Sequence, residues 1–203
     1  MPRILFVLVL WVFSLTTTAQ IDSLRIALAN EKADSTRIDL LLQLSSGWAP
    51  KDLDSALTYA QRAISGARSS GDTEREALAQ KAAGIAYGYA YEPSAAVPFF
   101  NQAIALYREL DNPEGIGDIY LNSGANYHFA NMPDSAMSQY QLAEQYYREA
   151  GNDEKLGRVP NNIALLFNRL GSTEEAIRYL RRSIWYKEQT GSVVGVMNTE
   201  INL

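Results

Sequence analysis

Between residues 77 and 110 apolar residues return at intervals of three and four, stop, and start again. Ala79, Ala82, Ala83, Ala86, Tyr87 and Ala90 mark one amphipathic helix. Glu92-Pro93-Ser94 interrupts it, and Ser94 is placed to cap the next helix. Val97, Phe100, Ile104 and Tyr107 then form a second apolar stripe. Asp111-Asn112-Pro113 closes the unit, with Asn112 as a cap and Pro113 at a first helical position, where its missing N–H costs nothing.

This two-helix plan recurs. Ala56, Ala96, Ala136 and Ala176 stand forty residues apart, as do Gly71, Asp111, Gly151 and Gly191. Gly84, Gly124 and Ala164 keep the same interval, and so do Tyr87, Tyr127 and Phe167. Several columns sharing one ungapped period define a repeat protein, whose hairpins bury their apolar stripes only by stacking on one another. Two helices that approach closely need a small residue where they cross. Gly84, Gly124 and Ala164 fill that role on first helices and Ala96, Ala136 and Ala176 on second helices, with Phe100, Tyr140 and Leu180 filling the space between.

The breaks are legible in each unit. Asp134 caps after Asn131-Met132-Pro133, Ser172 and Glu175 are spaced as a capping box, and Gly151-Asn152-Asp153 separates two units. Pro98 and Pro160 both read as lying early in their helices. The first unit is atypical: Arg37 to Trp48 and Asp54 to Ser69 form its helices, and Leu44 replaces the small residue. Residues 20–36 form an N-terminal capping segment, a short helix over Ile21 to Asn30 followed by Asp34-Ser35 as a cap. The units are then 37–76, 77–116, 117–156 and 157–196, with a partial unit over 197–203.

Ahead of the repeats, Arg3 precedes an apolar run from Ile4 to Leu15 broken only by Ser14, and Thr16-Thr17-Thr18-Ala19 offers a small-residue cleavage site. This is the pattern of a secretory leader over 1–19, with Gln20 as the mature N-terminus and the periplasm or cell envelope as destination. A membrane tether is expected only through an uncleaved N-terminus or through sequence beyond Leu203.

The order small–x–x–aromatic, then Ala, then aromatic or Leu, then Ala resembles the tetratricopeptide repeat (TPR). Gly84/Tyr87/Ala96/Phe100/Ala103 and Gly124/Tyr127/Ala136/Tyr140/Ala143 match at every step, and Ala164/Phe167/Ala176/Leu180/Ser183 with softer residues. The resemblance covers residues 21–203 and implies an all-α, right-handed solenoid with a forty-residue period. That period, with Asp22-Ser23-Leu24 and the stretch from Asp34 to Leu41, also resembles the exported N-terminal repeat regions of Bacteroidetes-type sensory and regulatory proteins.

Composition narrows the chemistry. The net charge is −5 with no run of five like charges, which argues against a nucleic-acid partner. There is no cysteine and one histidine, His128, so neither a thiolate nor a multi-histidine metal site is expected. No Gly-x-Ser-x-Gly turn, phosphate loop or dinucleotide fingerprint occurs, and neither a catalytic residue nor a cofactor is expected. Gly115-Ile116-Gly117 reflects the repeat register, and the twelve tyrosines read as helix packing. As a ligand platform they would instead suit an accessory to a glycan hydrolase.

In the TPR family the first helix of each unit lines a concave groove. The resemblance places Lys81, Tyr89, Asn122, His128, Arg158, Asn162 and Arg169 there. Lys81, Asn122 and Arg158 match the family's clamp for a peptide's terminal carboxylate, but Ile85 and Asn162 depart from it, so that ligand is not expected. The expected partner is a protein or extended peptide whose backbone meets the amides and whose acidic groups meet the arginines. Alternatively, Asn122 and Asn162 bond to the neighbouring repeat's backbone. The function implied is an exported protein-binding scaffold, or the sensory region of a larger histidine kinase or helix-turn-helix regulator.

Overall fold

A computed structural model of the chain describes residues 19–192. Residues 1–18 of the leader expected over 1–19, the stretch from Val193 to Leu203 and the partial unit 197–203 lie outside the described residues. The described residues are helical, with no strand. α1 occupies 19–30 and is followed by α2 (Asp34–Trp48), α3 (Leu53–Ser70), α4 (Thr73–Tyr89), α5 (Pro93–Glu109), α6 (Pro113–Phe129) and α7 (Pro133–Glu149). α8 (Asp153–Leu156), α9 (Arg158–Arg169) and α10 (Thr173–Gln189) complete the described residues. Four hairpins result: α2/α3, α4/α5, α6/α7, and α8–α9 against α10. The counted unit starts at Ala77, Gly117 and Gly157 fall one turn inside the first helices. The period is unchanged, and only the cut differs.

The period has a geometric origin. α4, α5, α6, α7 and α10 are each 17 residues long. Three-residue turns join them, and each turn carries one left-handed residue. Gly71, Tyr91, Asp111, Asn131, Gly151, Gly171 and Gly191 all have positive φ, at a spacing of twenty. After α5 the Asn112 N–H donates to Tyr107 C=O at 2.9 Å and the Asp111 N–H to Arg108 C=O at 3.1 Å, a Schellman closure. Equal arms and equal turns give the hairpins after the first the same length, so they stack.

Caps follow the sequence reading in part. Asn112 accepts from the Gly115 N–H at 2.8 Å and Asn152 from the Lys155 N–H at 2.9 Å. Asp52 and Asp72 cap α3 and α4 in the same way. Ser94, Asp134 and Asp34 do not cap. α5 and α7 begin with Pro93 and Pro133 at the first position, which moves Ser94 and Asp134 inside the opening turn. α2 begins at Asp34, so the capping segment drawn to residue 36 ends inside that helix. Ser172 occupies the N-cap of α10 without a side-chain bond.

Pro160 opens α9, but α8 precedes it, and the helix breaks at Gly157 between them. A continuous helix would drive the Pro160 ring into the Leu156 carbonyl. Pro98 lies past the first turn of α5 rather than within it. It and Ser94, whose carbonyl loses its helical N–H partner to the proline, are both exposed, so that group is open to solvent.

The small columns work by seating rings. A Cβ added to Gly84 would lie 2.4 Å from the Phe100 ring, and one on Gly124 would lie 2.5 Å from the Tyr140 ring. In the next unit Ala164 faces the smaller Leu180, and in the first unit the sizes invert, Leu44 against Ala60, all buried. Volume per crossing is conserved while its source alternates. Gly115 and Gly117 likewise seat Tyr107 and Tyr147, so these tyrosines serve packing. α1 closes the N-terminal end by burying Ile21 and Leu28 among Ile38, Leu41 and Leu44.

Successive first helices pack directly, α2 on α4, α4 on α6 and α6 on α9, whereas successive second helices make no comparable contact among the described residues. The stack therefore curves with the first helices inside.

Gly124→Leu should overpack the Tyr140 seat and cost on the order of 3 kcal/mol. Adding Tyr140→Ala recreates the Leu44/Ala60 arrangement and should recover most of the loss. Urea unfolding of the single and double variants checks it, and a double variant no more stable than Gly124→Leu would refute the seat.

Candidate functional site

The inner face is built from the first helices. Positions i, i+4, i+7 and i+11 lie on one side of a helix. On α4 these are Leu78, Ala82, Ile85 and Tyr89, on α6 Asp118, Asn122, Ala125 and Phe129, and on α9 Arg158, Asn162, Leu165 and Arg169. None of these twelve is buried. Five of the seven expected groove residues, Tyr89, Asn122, Arg158, Asn162 and Arg169, fall on this stripe. Lys81 and His128 do not: they sit at the seams between adjacent first helices. Lys81 there pairs with Asp118 of α6, and the His128 carbonyl receives Arg169 of α9.

The N-terminal half of the stripe holds a polar cluster centred on Asp118. Both its oxygens accept from Lys155 Nζ at 2.9 Å, the Tyr147 hydroxyl donates to it at 2.7 Å, and Lys81 Nζ stands at 3.8 Å. Lys155 also meets Glu114 at 2.7 Å, and Asn152 Nδ2 donates to Glu114 at 2.9 Å. Burial pushes the Asp118 carboxyl up, but the Tyr147 hydroxyl, Lys155 and Lys81 together hold it below the usual carboxylate range. The two lysines differ. Lys155 is raised despite its burial because Glu114 and Asp118 hold its proton, whereas burial outweighs Asp118 at Lys81 and lowers it. The distances agree: Lys155 is the true partner of Asp118, and Lys81 stands at the edge of the pair.

Asn122 and Asn162 bond neither outward nor to a neighbouring repeat. Each donates Nδ2 to the carbonyl four residues back on its own helix, Asp118 at 2.7 Å and Arg158 at 2.9 Å. Their amide oxygens keep acceptor capacity. The asparagine that reaches across is Asn126, whose Nδ2 donates to the Gly84 carbonyl at 2.9 Å and whose side chain fills the space above Gly88. Arg158 is exposed and makes no ion pair among the described residues, with Lys81 and Lys187 as cationic neighbours.

The C-terminal half is apolar. Tyr89 and Phe129 are 52% and 51% exposed although both are aromatic. The His128 ring stacks on Phe129, centroids 5.7 Å apart, and burial together with Arg169 lowers its pKa. Arg169 donates from Nη1 to the His128 carbonyl at 2.9 Å, so its charge is not neutralised by a carboxylate.

A cavity of about 980 Å³ runs along α3 and touches none of the seven residues. Its lining includes Gly66, in the column that Leu106, Tyr146 and Tyr186 fill in later units. The inner face is instead an open surface, suited to an elongated ligand more than to an enclosed small molecule. Among the described residues no three His, Asp or Glu side chains converge as a metal site would require, and no helix is long and apolar enough to cross a membrane.

No family model matches the sequence, and no curated protein matches it. Solved structures do. A Rap protein complexed with competence and sporulation factor superposes with a TM-score of 0.72 at 14% identity, over 92% of this chain and 53% of that one. Bacillus thuringiensis PlcR, in complex with the peptide PapR7 and DNA, gives 0.68 at 12%, over 93% and 71%. A Pyrococcus horikoshii signal-transduction ATPase with a tetratricopeptide repeat sensor gives 0.62 at 16%, over 90% and 28%. The fold is the TPR solenoid. The chain thus spans about half of the Rap protein's length.

Sequence reasoning about the TPR groove missed Asp118, Phe129 and Leu165. The signal was available in the period. Contacts between adjacent repeats join residues 36, 37, 38 and 38 apart, as in Asp39/Arg75, Asp118/Lys155, Glu114/Asn152 and Glu144/Arg182. Opposite or complementary groups slightly less than one period apart are the solenoid's counterpart of pairs one helical turn apart.

A depressed Asp118 contributes stability that is complete above its unfolded value near ~3.9 and is lost as pH falls through the lower folded value. Asp118→Asn should therefore cost on the order of 1–3 kcal/mol at neutral pH. The gap from wild type should shrink on acidification toward about pH 3. Urea midpoints across that range test it, and a pH-independent gap would refute the charge pairing.

Proposed function

We propose that the chain is a non-enzymatic scaffold that binds a protein or peptide segment along the inner face of its solenoid. The observation that carries this reading is the set of groups left unused there. The Asn122 and Asn162 amide oxygens stand one repeat apart and retain acceptor capacity, and Arg158 makes no ion pair among the described residues. A chain in extended conformation has free backbone N–H groups for such amides and side-chain carboxylates for the guanidinium. A helix, its backbone already bonded, has no use for them. That a PlcR structure of the same fold holds the peptide PapR7 supports the reading.

A second reading, favoured by the ATPase whose repeat module is a sensor, makes this solenoid the sensory region of a larger signalling protein of the Bacteroidetes type. The two agree on the inner face and differ in what binding is coupled to. Both take residues 1–19 as a leader and place the protein outside the cytoplasm.

Arg158→Glu should weaken partner binding at least about tenfold while leaving helicity unchanged. Calorimetric titration beside far-ultraviolet circular dichroism separates these, and equal loss of both would remove Arg158 from the groove. For the leader, N-terminal sequencing of protein recovered from the periplasm should begin at Gln20.

A further inference from the structure

One column of the inner face is only partly used by the fold. Tyr89, Phe129 and Arg169 occupy the same register position on α4, α6 and α9. The two rings are half exposed, and Arg169 spends one N–H on a neutral carbonyl and keeps the rest. Beside this column runs a second, Ile85, Ala125 and Leu165, apolar throughout. The row therefore reads aromatic, aromatic, guanidinium along the curve of the stack, over an apolar floor.

Spacing selects the ligand. Packed helices lie about 8–10 Å apart. A polyproline II segment advances about 3.1 Å per residue with three residues per turn, so every third side chain points the same way about 9.3 Å further on. A β-strand offers same-side neighbours about 6.6–6.8 Å apart, which misses the row. A helix could match with every seventh residue, but it leaves the Asn122 and Asn162 amides unanswered. Charge selects the end. The carboxylates of the polar half, Glu114 and Asp118, are taken by Lys155, and the exposed Glu74 and Glu154 lie in the opening turns of their units. Arg169 lies at the other end of α9, eleven residues beyond Arg158 or roughly 16 Å along the axis.

We propose that the inner face selects a polyproline II segment with two apolar side chains three residues apart, on Tyr89 and Phe129, and an acidic side chain three residues further on, against Arg169. This rests on the inner-face reading under Proposed function and adds the ligand's pattern. The groups facing Arg169 are His128, whose ring burial keeps neutral near pH 7, and Phe129. A carboxylate there meets a cation in partly apolar surroundings, where charge-assisted hydrogen bonds are strong.

The test uses the full chain and fluorescence anisotropy with labelled proline-rich peptides. They carry Phe, Phe and Glu at every third position, in both chain directions, with matched peptides bearing Lys for Glu or a fourth residue inserted between the aromatics. One direction of the Glu peptide should bind, and the Lys and respaced peptides should bind about tenfold more weakly or worse. Arg169→Glu, at an exposed position, should reverse the preference to the Lys peptide with helicity unchanged. Indifference to spacing, or an Arg169→Glu protein that keeps preferring Glu, overturns the proposal. A random-peptide display library panned on wild type and on Phe129→Asp separates the levels of failure. Binders lost in Phe129→Asp but lacking the three-residue pattern would overturn only this motif. No binder sensitive to Phe129→Asp would overturn the inner-face reading with it.

Discussion

The stack depends on one steric relation, an aromatic ring from a second helix seated where the first helix has no side chain. At Gly84 and Gly124 a methyl group would enter the space of Phe100 or Tyr140, so the axes approach as closely as a bare backbone allows. Glycine inside a helix costs about 1 kcal/mol relative to alanine. Burying a ring of that size returns more than this, since large buried side chains are worth about 1.5–3 kcal/mol each. The exchange also explains the other units. Ala164 suffices where the partner shrinks to Leu180, and Leu44 is accommodated where the partner shrinks to Ala60.

Close hairpins bring the first helices of neighbouring units into contact, and that seam draws on specific polar residues. Asn126 donates to the Gly84 carbonyl and fills the hollow at Gly88, while Asp118 gathers Tyr147, Lys155 and Lys81. These partners come from three repeats and are buried or mostly buried, so removing one leaves charges stranded in low dielectric. The curvature of the inner face and its electrostatics therefore have the same origin.

The period was legible because packing constrains the small and large columns at every repeat, and a subtraction exposes it. The cap was legible at Asn112, directly after a left-handed residue; Asn152, read only as part of a unit break, caps from the same position, and Ser94 and Asp134 were misread because proline fixes the first helical position one residue earlier. The inner face was half legible. Tyr89, Asn122, Arg158, Asn162 and Arg169 follow from helical angle alone, which sequence carries. Lys81 and His128 lie at seams, and which residues a seam consumes depends on contacts about one period away in the chain. Asp118, invisible as a lone carboxylate in α6, becomes prominent only when Lys81 and Lys155 arrive from either side.

What a repeat protein offers a ligand is then the remainder after its seams are satisfied. Near the N-terminal ends of the first helices the seam takes most of the charge on the stripe: Glu114 and Asp118 are balanced by Lys155 and Lys81, and Arg158 makes no ion pair among the described residues. Toward the C-terminal ends the seam takes a backbone carbonyl from His128 and a single N–H from Arg169, leaving the Tyr89 and Phe129 rings half-exposed, with the His128 ring stacked on Phe129. Exposed aromatics cost solvation, and isolated ones are common on any surface, but two in one column of a curved array, ending in an unneutralised guanidinium, form a continuous feature. Because the same register position repeats on each first helix, changing the residue at that position in one unit changes one contact of a ligand without disturbing the ring seats on the opposite side of the helix. Specificity and stability are thereby written on different faces of the same helices.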